Sequence, residues 1–98
     1  MTVHLYQSDL PDDLRLGPIV AIDTETMGLD PRRDRLCLVQ LSSGDGDAHL
    51  VQIARGQVTA PNLMRLLSDP LTLKIFHYAR FDIAALEAAF GVSTAPVW

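Results

Sequence analysis

Two apolar runs, Leu36–Ser42 (LCLVQLS) and Ala48–Ile53 (AHLVQI), are separated by Ser43–Asp47, SGDGD. Gly and Asp tolerate the left-handed backbone of a tight turn, so apolar runs on either side of such a cluster predict a β-hairpin. An earlier apolar run, Ile19–Glu25 (IVAIDTE), follows Pro18 and is joined to the hairpin by the turn-rich connection Gly28–Arg35 (GLDPRRDR). It completes an antiparallel meander of three strands. Val3–Tyr6 predicts a short edge strand, and Ser8–Gly17 a loop or short helical turn.

After the hairpin the pattern changes. Thr59 is the expected N-cap of a helix, Pro61 suits its first turn, and Leu63, Leu66 and Leu67 form one face. Asp69-Pro70 ends that helix. Leu73–His77 (LKIFH) predicts a short strand, and Arg80–Phe90 a second helix with Ile83, Leu86 and Phe90 on one face and Gly91 as C-cap. Ala84, Ala85, Ala88 and Ala89 permit close packing on a sheet. The order is βββ-α-β-α, which predicts an α/β fold: a mixed sheet, built from the meander and then αβα, flanked by helices.

The 98 residues suffice for one small domain, residues 1–98, without repeats or linkers. Of these, 48% are hydrophobic and 20% charged, the balance of a soluble globular protein. No apolar run approaches the ~18 residues that span a bilayer, so no membrane association is expected. The N-terminus lacks the basic and apolar regions of a signal peptide. Cys37, the single cysteine, falls in an apolar run and is expected to be a small core residue. These features predict a cytoplasmic location. The net charge of −4 has the wrong sign for binding nucleic acid by bulk electrostatics. Acids that hold divalent cations contribute to that sum, however, and setting three such ligands aside leaves the chain close to neutral.

Three acids invite that interpretation. Asp23 and Glu25 are one residue apart at the end of an apolar strand, so their side chains share one side of the sheet. Two like charges so close raise each other's pKa unless a cation lies between them, and hard cations such as Mg²⁺ take carboxylate oxygens. An exposed strand end with both acids in water is the plain alternative. Asp82, in His77–Asp82 (HYARFD), begins the second helix, where an acid offsets the helix dipole. If strand Leu73–His77 lies beside Ile19–Glu25, the helix start also delivers Asp82 to Asp23 and Glu25. Three converging carboxylates suit a pair of divalent ions about 3.5–4 Å apart, as used for in-line displacement at phosphorus. Glu87 is expected on a solvated face.

The stretches IVAIDTETMGLDPRRDRLCLVQLS and KIFHYARFDIAALEAAFGV together resemble the DEDD superfamily of 3′–5′ exonucleases, and within it the ribonuclease D group. The first matches a D-x-E followed by a small turn; the second matches a motif in which an aromatic residue precedes an Asp. The resemblance implies an RNase H-like fold, two divalent metal ions (Mg²⁺ or Mn²⁺), a nucleic acid partner (the 3′ end of RNA or single-stranded DNA), and release of 5′-mononucleotides. It implies catalytic and metal-binding roles for Asp23, Glu25 and Asp82. In it Asp23 bridges both metals, Glu25 binds the metal that activates water, and Asp82 holds the other. It also implies substrate contacts by Thr26, Met27 and Leu29, with Leu29 as an apolar wedge against the terminal base. Tyr78 replaces the family's common Asn four residues before the Asp, although a Tyr can stack on a base or bond a phosphate. His77 is a candidate for substrate contact or proton transfer, with a structural role as the alternative. Arg32, Arg33, Arg35 and Arg80 are candidates to meet phosphates.

A third motif of the family, Y-x-x-x-D or H-x-x-x-D, has no counterpart after Asp82. The resemblance therefore covers the N-terminal half of a family domain, and the chain alone is expected to show little or no exonuclease activity. A half domain leaves strand edges and an apolar helix face uncovered, which predicts self-association or a complementary C-terminal segment. A non-catalytic nucleic-acid-binding or interaction module on the same fold is the second interpretation, and a phosphatase using D-x-E as a metal site the third.

Overall fold

The computed structural model describes residues 2–30, 33–77 and 79–97. The candidates Arg32 and Tyr78 lie outside the described residues. The chain forms β1 (Thr2–Gln7), β2 (Ile19–Thr26), β3 (Leu36–Ser42), β4 (Asp47–Gln52), α1 (Pro61–Ser68), β5 (Leu73–Phe76) and α2 (Ala79–Phe90). The five strands make one sheet in the order β1-β4-β3-β2-β5. The meander β2-β3-β4 is antiparallel, as its turn chemistry predicts, and β1 and β5 add in parallel to β4 and β2. Within the meander Gly44 and Gly46 take φ of 84° and 92°, a backbone that side chains other than Gly rarely adopt.

One face of this sheet carries the core. The register aligns Tyr6, Val51, Val39 and Thr24 in one row across it, and His49, Leu41, Ile22 and Phe76 in the next. Leu63 and Leu67 of α1 and Ala85, Leu86 and Phe90 of α2 pack onto that face, together with Leu10 and Leu16 from the β1–β2 loop. The opposite face has Leu5, Leu50, Gln40 and Asp23 in one row, and Val3, Leu5 and Ile19 are each at least half exposed. The sequence predicted an uncovered helix face; the uncovered apolar surface instead belongs to the sheet, because both helices pack on the same side of it. Among the described residues no helix is long and apolar enough to cross a membrane.

Four local expectations are corrected. Thr59 does not cap α1: the N-cap is Ala60, without a side-chain cap of its own, and the Thr59 hydroxyl donates to Met64 Sδ. The cap comes from Asp9 in the β1–β2 loop, whose two carboxylate oxygens accept from the amides of Asn62 and Leu63, both at 2.9 Å. A carboxylate can serve two N-terminal amides where the preceding residue offers none. Strand β5 stops at Phe76, leaving His77 exposed beyond its end, and α2 begins one residue earlier than predicted. Cys37 is half-buried, with its thiol towards the Arg35 carbonyl.

Lys74 is fully buried, and its ammonium donates to the carbonyls of Asp69 and Ala95, each at 2.6 Å. It thereby ties the end of α1 and residues 95–97 to β5, where Val97 makes a parallel bridge. Asp9→Ala should destabilise the fold by about 1 kcal/mol or more, since it removes the partners of two helix N-terminal amides at once; urea unfolding midpoints of the two proteins measure this, and equal midpoints would show that the cap is idle.

Candidate metal and nucleotide site

Strand β2 alternates cleanly. Val20, Ile22 and Thr24 are buried, while Ala21, Asp23 and Glu25 are exposed on the open face. On one side β2 is paired with β3 from Ala21 to Thr26; on the other, β5 accompanies it only from Ile19 to Ile22. The carboxylate-bearing end of β2 thus has a strand neighbour on one side only. β2 and β5 run parallel, so their C-terminal ends lie together, the place where open α/β sheets form ligand crevices.

The first turn of α2 enters that gap. Asp82 is 3% exposed there, and its Oδ1 accepts a hydrogen bond from the Thr24 hydroxyl at 2.5 Å. Its other oxygen, Oδ2, is buried without a hydrogen-bond partner among the described residues. Burial pushes the Asp82 carboxyl above the ordinary carboxylate value, and the negative charge of Asp23 adds to this. Hydrogen bonding from Thr24 and the charge of His77 oppose it. Asp23 Oδ1 accepts from the Thr24 amide at 3.0 Å.

The structure therefore brings Asp82 to Thr24 and within electrostatic reach of Asp23 and His77. Among the described residues it does not gather three His, Cys, Asp or Glu side chains closely enough to hold a metal ion.

The turn after the acids is well ordered by hydrogen bonds. The Thr26 hydroxyl donates to the Gly28 carbonyl, and the Met27 amide donates to the Arg35 carbonyl at 2.9 Å. Asp34 accepts from the Asp30 amide at 3.0 Å. Gly28 lies so near Asp34 that a Cβ there would be 2.2 Å from Oδ2, so a side chain at 28 would displace this carboxylate. The turn leaves Met27 and Leu29 exposed, Leu29 by 92%. Apolar side chains this open to water, beside two acids, form a rim able to meet a flat apolar surface such as a base.

The arginines divide. Arg35 donates from Nη1 to the Ile53 carbonyl at 2.9 Å and supports the loop rather than facing solvent. Arg33 pairs with Asp34 at 3.3 Å, and Arg80 is exposed on α2. Glu87 is exposed, as its helix position predicts. A cleft of about 500 Å³ lies apart from all these residues, between α1 and the loop carrying Leu10–Pro18. Sequence reasoning passed over Thr24 and Asp34. Alternation alone places Thr24 opposite the acids; nothing local marks Asp34 as the partner of Asp30 and Gly28.

A family model described as 3′–5′ exonuclease matches residues 7–98. Ribonuclease D of Acidiphilium cryptum is 36% identical over 89 residues, covering 91% of this chain and 22% of that protein. Brucella melitensis NrnC with bound Mg²⁺ superposes with a TM-score of 0.95 at 54% identity, covering all of this chain and 49% of that one. The same protein bound to pGG gives a TM-score of 0.95 at 54% identity and covers 48% of that chain. The chain thus spans about half the length of these solved structures and about a fifth of the ribonuclease D. Its five-stranded mixed sheet is the RNase H-like fold of these exonuclease domains, and with the match extending over residues 7–98 the chain belongs to the 3′–5′ exonuclease family, as a ribonuclease D-like N-terminal portion.

Proposed function

We propose that residues 1–98 form the N-terminal portion of a metal-dependent 3′–5′ exonuclease domain that hydrolyses RNA, or single-stranded DNA, and releases 5′-mononucleotides. The observation that carries this is the placement of Asp82 beside the D-x-E strand, with one carboxylate oxygen buried and without a hydrogen-bond partner among the described residues. A buried, unpartnered anionic oxygen near a second carboxylate is costly without a compensating cation. Carboxylate oxygens are the donors that Mg²⁺ and Mn²⁺ prefer, so the residues present fit divalent ions. Asp23, Glu25 and Asp82 would hold two of them, with a further acid from outside this chain. When bound, such ions lower the pKa of an attacking water and offset charge developing at the phosphate. The solved relative with Mg²⁺ supports the metal dependence, and the ribonuclease D relatives and the relative bound to pGG support a nucleic acid ligand.

The chain's own residues would act as follows. Met27 and Leu29 present apolar surface to the terminal base, and Thr26 keeps their turn in shape through its bond to Gly28. His77, exposed beyond β5, and Tyr78 would meet the sugar–phosphate or the base. We place this activity in the cytoplasm. Alone, the chain would be nearly inactive, because two of the carboxylates on one strand and a third on α2 do not make a full ligand set. The non-catalytic binding module remains a second interpretation, favoured by the absence of a three-ligand cluster among the described residues.

Calorimetric titration with Mn²⁺ separates the two. The exonuclease interpretation expects binding by the wild-type chain and its loss in Asp23→Ala and in Asp82→Ala, with little release of mononucleotides from a labelled 3′ end. No binding by the wild type would favour the module; rapid cleavage would refute the incomplete site.

Asp82 also sets a pH dependence. Its carboxyl is raised in the folded state, so the native chain holds this proton more tightly than the unfolded chain does. The cost of ionising it is absent below the unfolded value of about 3.9 and grows as pH rises through the folded value. In metal-free buffer Asp82→Asn should therefore melt above the wild type at pH 7, with the gap closing towards pH 4. A gap independent of pH would contradict the origin assigned to it.

The open sheet face and the free edge of β1 lead us to propose that a second copy or a complementary C-terminal segment covers them. Analytical ultracentrifugation of the 98-residue chain should show association; a monomer with a cooperative melt would speak against it.

A further inference from the structure

Thr24 is neither one of the proposed metal ligands nor part of the proposed nucleotide rim. It lies between Asp23 and Glu25, and alternation turns it to the opposite, helix-covered face. There it is buried in a row with Val39 and Val51. A hydroxyl in such a row needs a partner, and it finds one in the Asp82 carboxylate, 58 residues further along the chain. Oδ1 of Asp82 is engaged in this way, while Oδ2 has no hydrogen-bond partner among the described residues.

We infer that Thr24 is a positioning residue, whose hydroxyl commits Asp82 Oδ1 to the protein and leaves Oδ2 as the oxygen offered to a divalent cation beside Asp23. This rests on the assignment of Asp82 as a metal ligand proposed above.

Three observations support it. The two donors of Thr24 serve two different acids: the amide donates to Asp23 Oδ1 and the hydroxyl to Asp82 Oδ1. One residue thus fixes both carboxylates relative to the same stretch of backbone. Next, β5 ends opposite Ile22, so no strand ladder continues on that side of Asp23–Glu25 to hold the start of α2 in register with them. The Thr24 hydroxyl supplies a direct link from α2 to β2 where the ladder stops. Finally, a β-branched side chain in a strand has few χ1 choices, so the direction of the hydroxyl follows from the strand itself. Valine keeps that shape without the donor. Serine keeps the donor with a looser χ1.

Partners that orient a metal ligand commonly alter metal affinity by tenfold or more when removed. A buried threonine that merely satisfies its own hydroxyl would instead alter stability alone. The experiment is a Mn²⁺ titration by calorimetry on the wild-type chain, T24S, T24V, D82N and the double variant T24V/D82N, with amide NMR spectra to confirm the fold. If T24V fails to fold, T24A provides the hydroxyl-free comparison.

We expect T24V to bind on the order of tenfold more weakly, T24S to stay within about threefold of the wild type, and T24V to cause no further loss once D82N is present. Wild-type affinity in T24V would overturn the inference. So would an equal T24V effect with and without D82N, because the hydroxyl would then act independently of Asp82. Wild-type affinity in D82N, or no binding by the wild type, would refute the metal-ligand assignment itself. That failure is distinct from D82N weakening binding while T24V does not.

Discussion

The unequal pairing of β2 governs the rest of the site. β3 follows it along Ala21–Thr26, but β5 follows it only along Ile19–Ile22. A strand of equal length in the place of β5 would occupy the space that the first turn of α2 enters. Because β5 is short, the chain turns at His77 and its helix meets β2 beside Thr24. The two segments that resemble the family's motifs, far apart in sequence, are thereby made neighbours where a hydrogen-bond ladder stops. The gap also leaves backbone groups of β2 without a strand partner on that side, an arrangement that edge strands usually disguise. Here the first turn of α2 brings Asp82 to the Thr24 hydroxyl of that strand.

Alternation along β2 then divides the labour among adjacent residues. Ile22 and Thr24 face the core, and Asp23 and Glu25 face the other way. A one-residue slip against β3 would exchange these roles and bury both acids. The slip is opposed by Val20 and Ile22 of β2, both buried, which would have to leave the core together. Burying an aliphatic side chain of this size contributes roughly 1.5–3 kcal/mol, so the hydrophobic register is what fixes the direction of the carboxylates. The Thr24 hydroxyl, admitted to this face, bonds Asp82.

Much of this was legible in the sequence. The hairpin, the meander and the C-terminal ends of both helices follow from local rules: Gly and Asp in the turn, period-two burial, Asp69-Pro70 after α1, and Gly91 at a φ of 65° after α2. Residues joined only through the fold were not. Asp9 caps α1 from 53 residues away, and a propensity rule could only nominate the adjacent Thr59. β1 reads as an edge strand from its composition, but its parallel partner β4 is set by tertiary packing. His4, Tyr6 and His49, given no role from sequence, stack across β1 and β4, with the Tyr6 hydroxyl 2.9 Å from His49 Nδ1. For the site, the side shared by Asp23 and Glu25 was predictable from alternation. The burial of Asp82, and the hydroxyl that holds it, were not, because both depend on where β5 stops.

The burial of Asp82 makes a conflict between folding and chemistry explicit. An asparagine or an apolar residue at that place would let α2 pack on β2 without an ionisable group in the core. The chain instead places a carboxylate there, supports one oxygen with a hydroxyl, and sets Asp23 near it, which disfavours its charge further. The burial and the nearby charge oppose stability in the free protein, the hydroxyl offsets part of that cost, and a cation at the two carboxylates would relieve the rest. The same contrast holds on the open face, where Leu5 and Leu50 share a row with Gln40 and Asp23 rather than with further apolar residues. A buried carboxylate held by a hydroxyl next to a second acid weakens a small domain, and a fold bears such local choices where a site, rather than its own stability, calls for them.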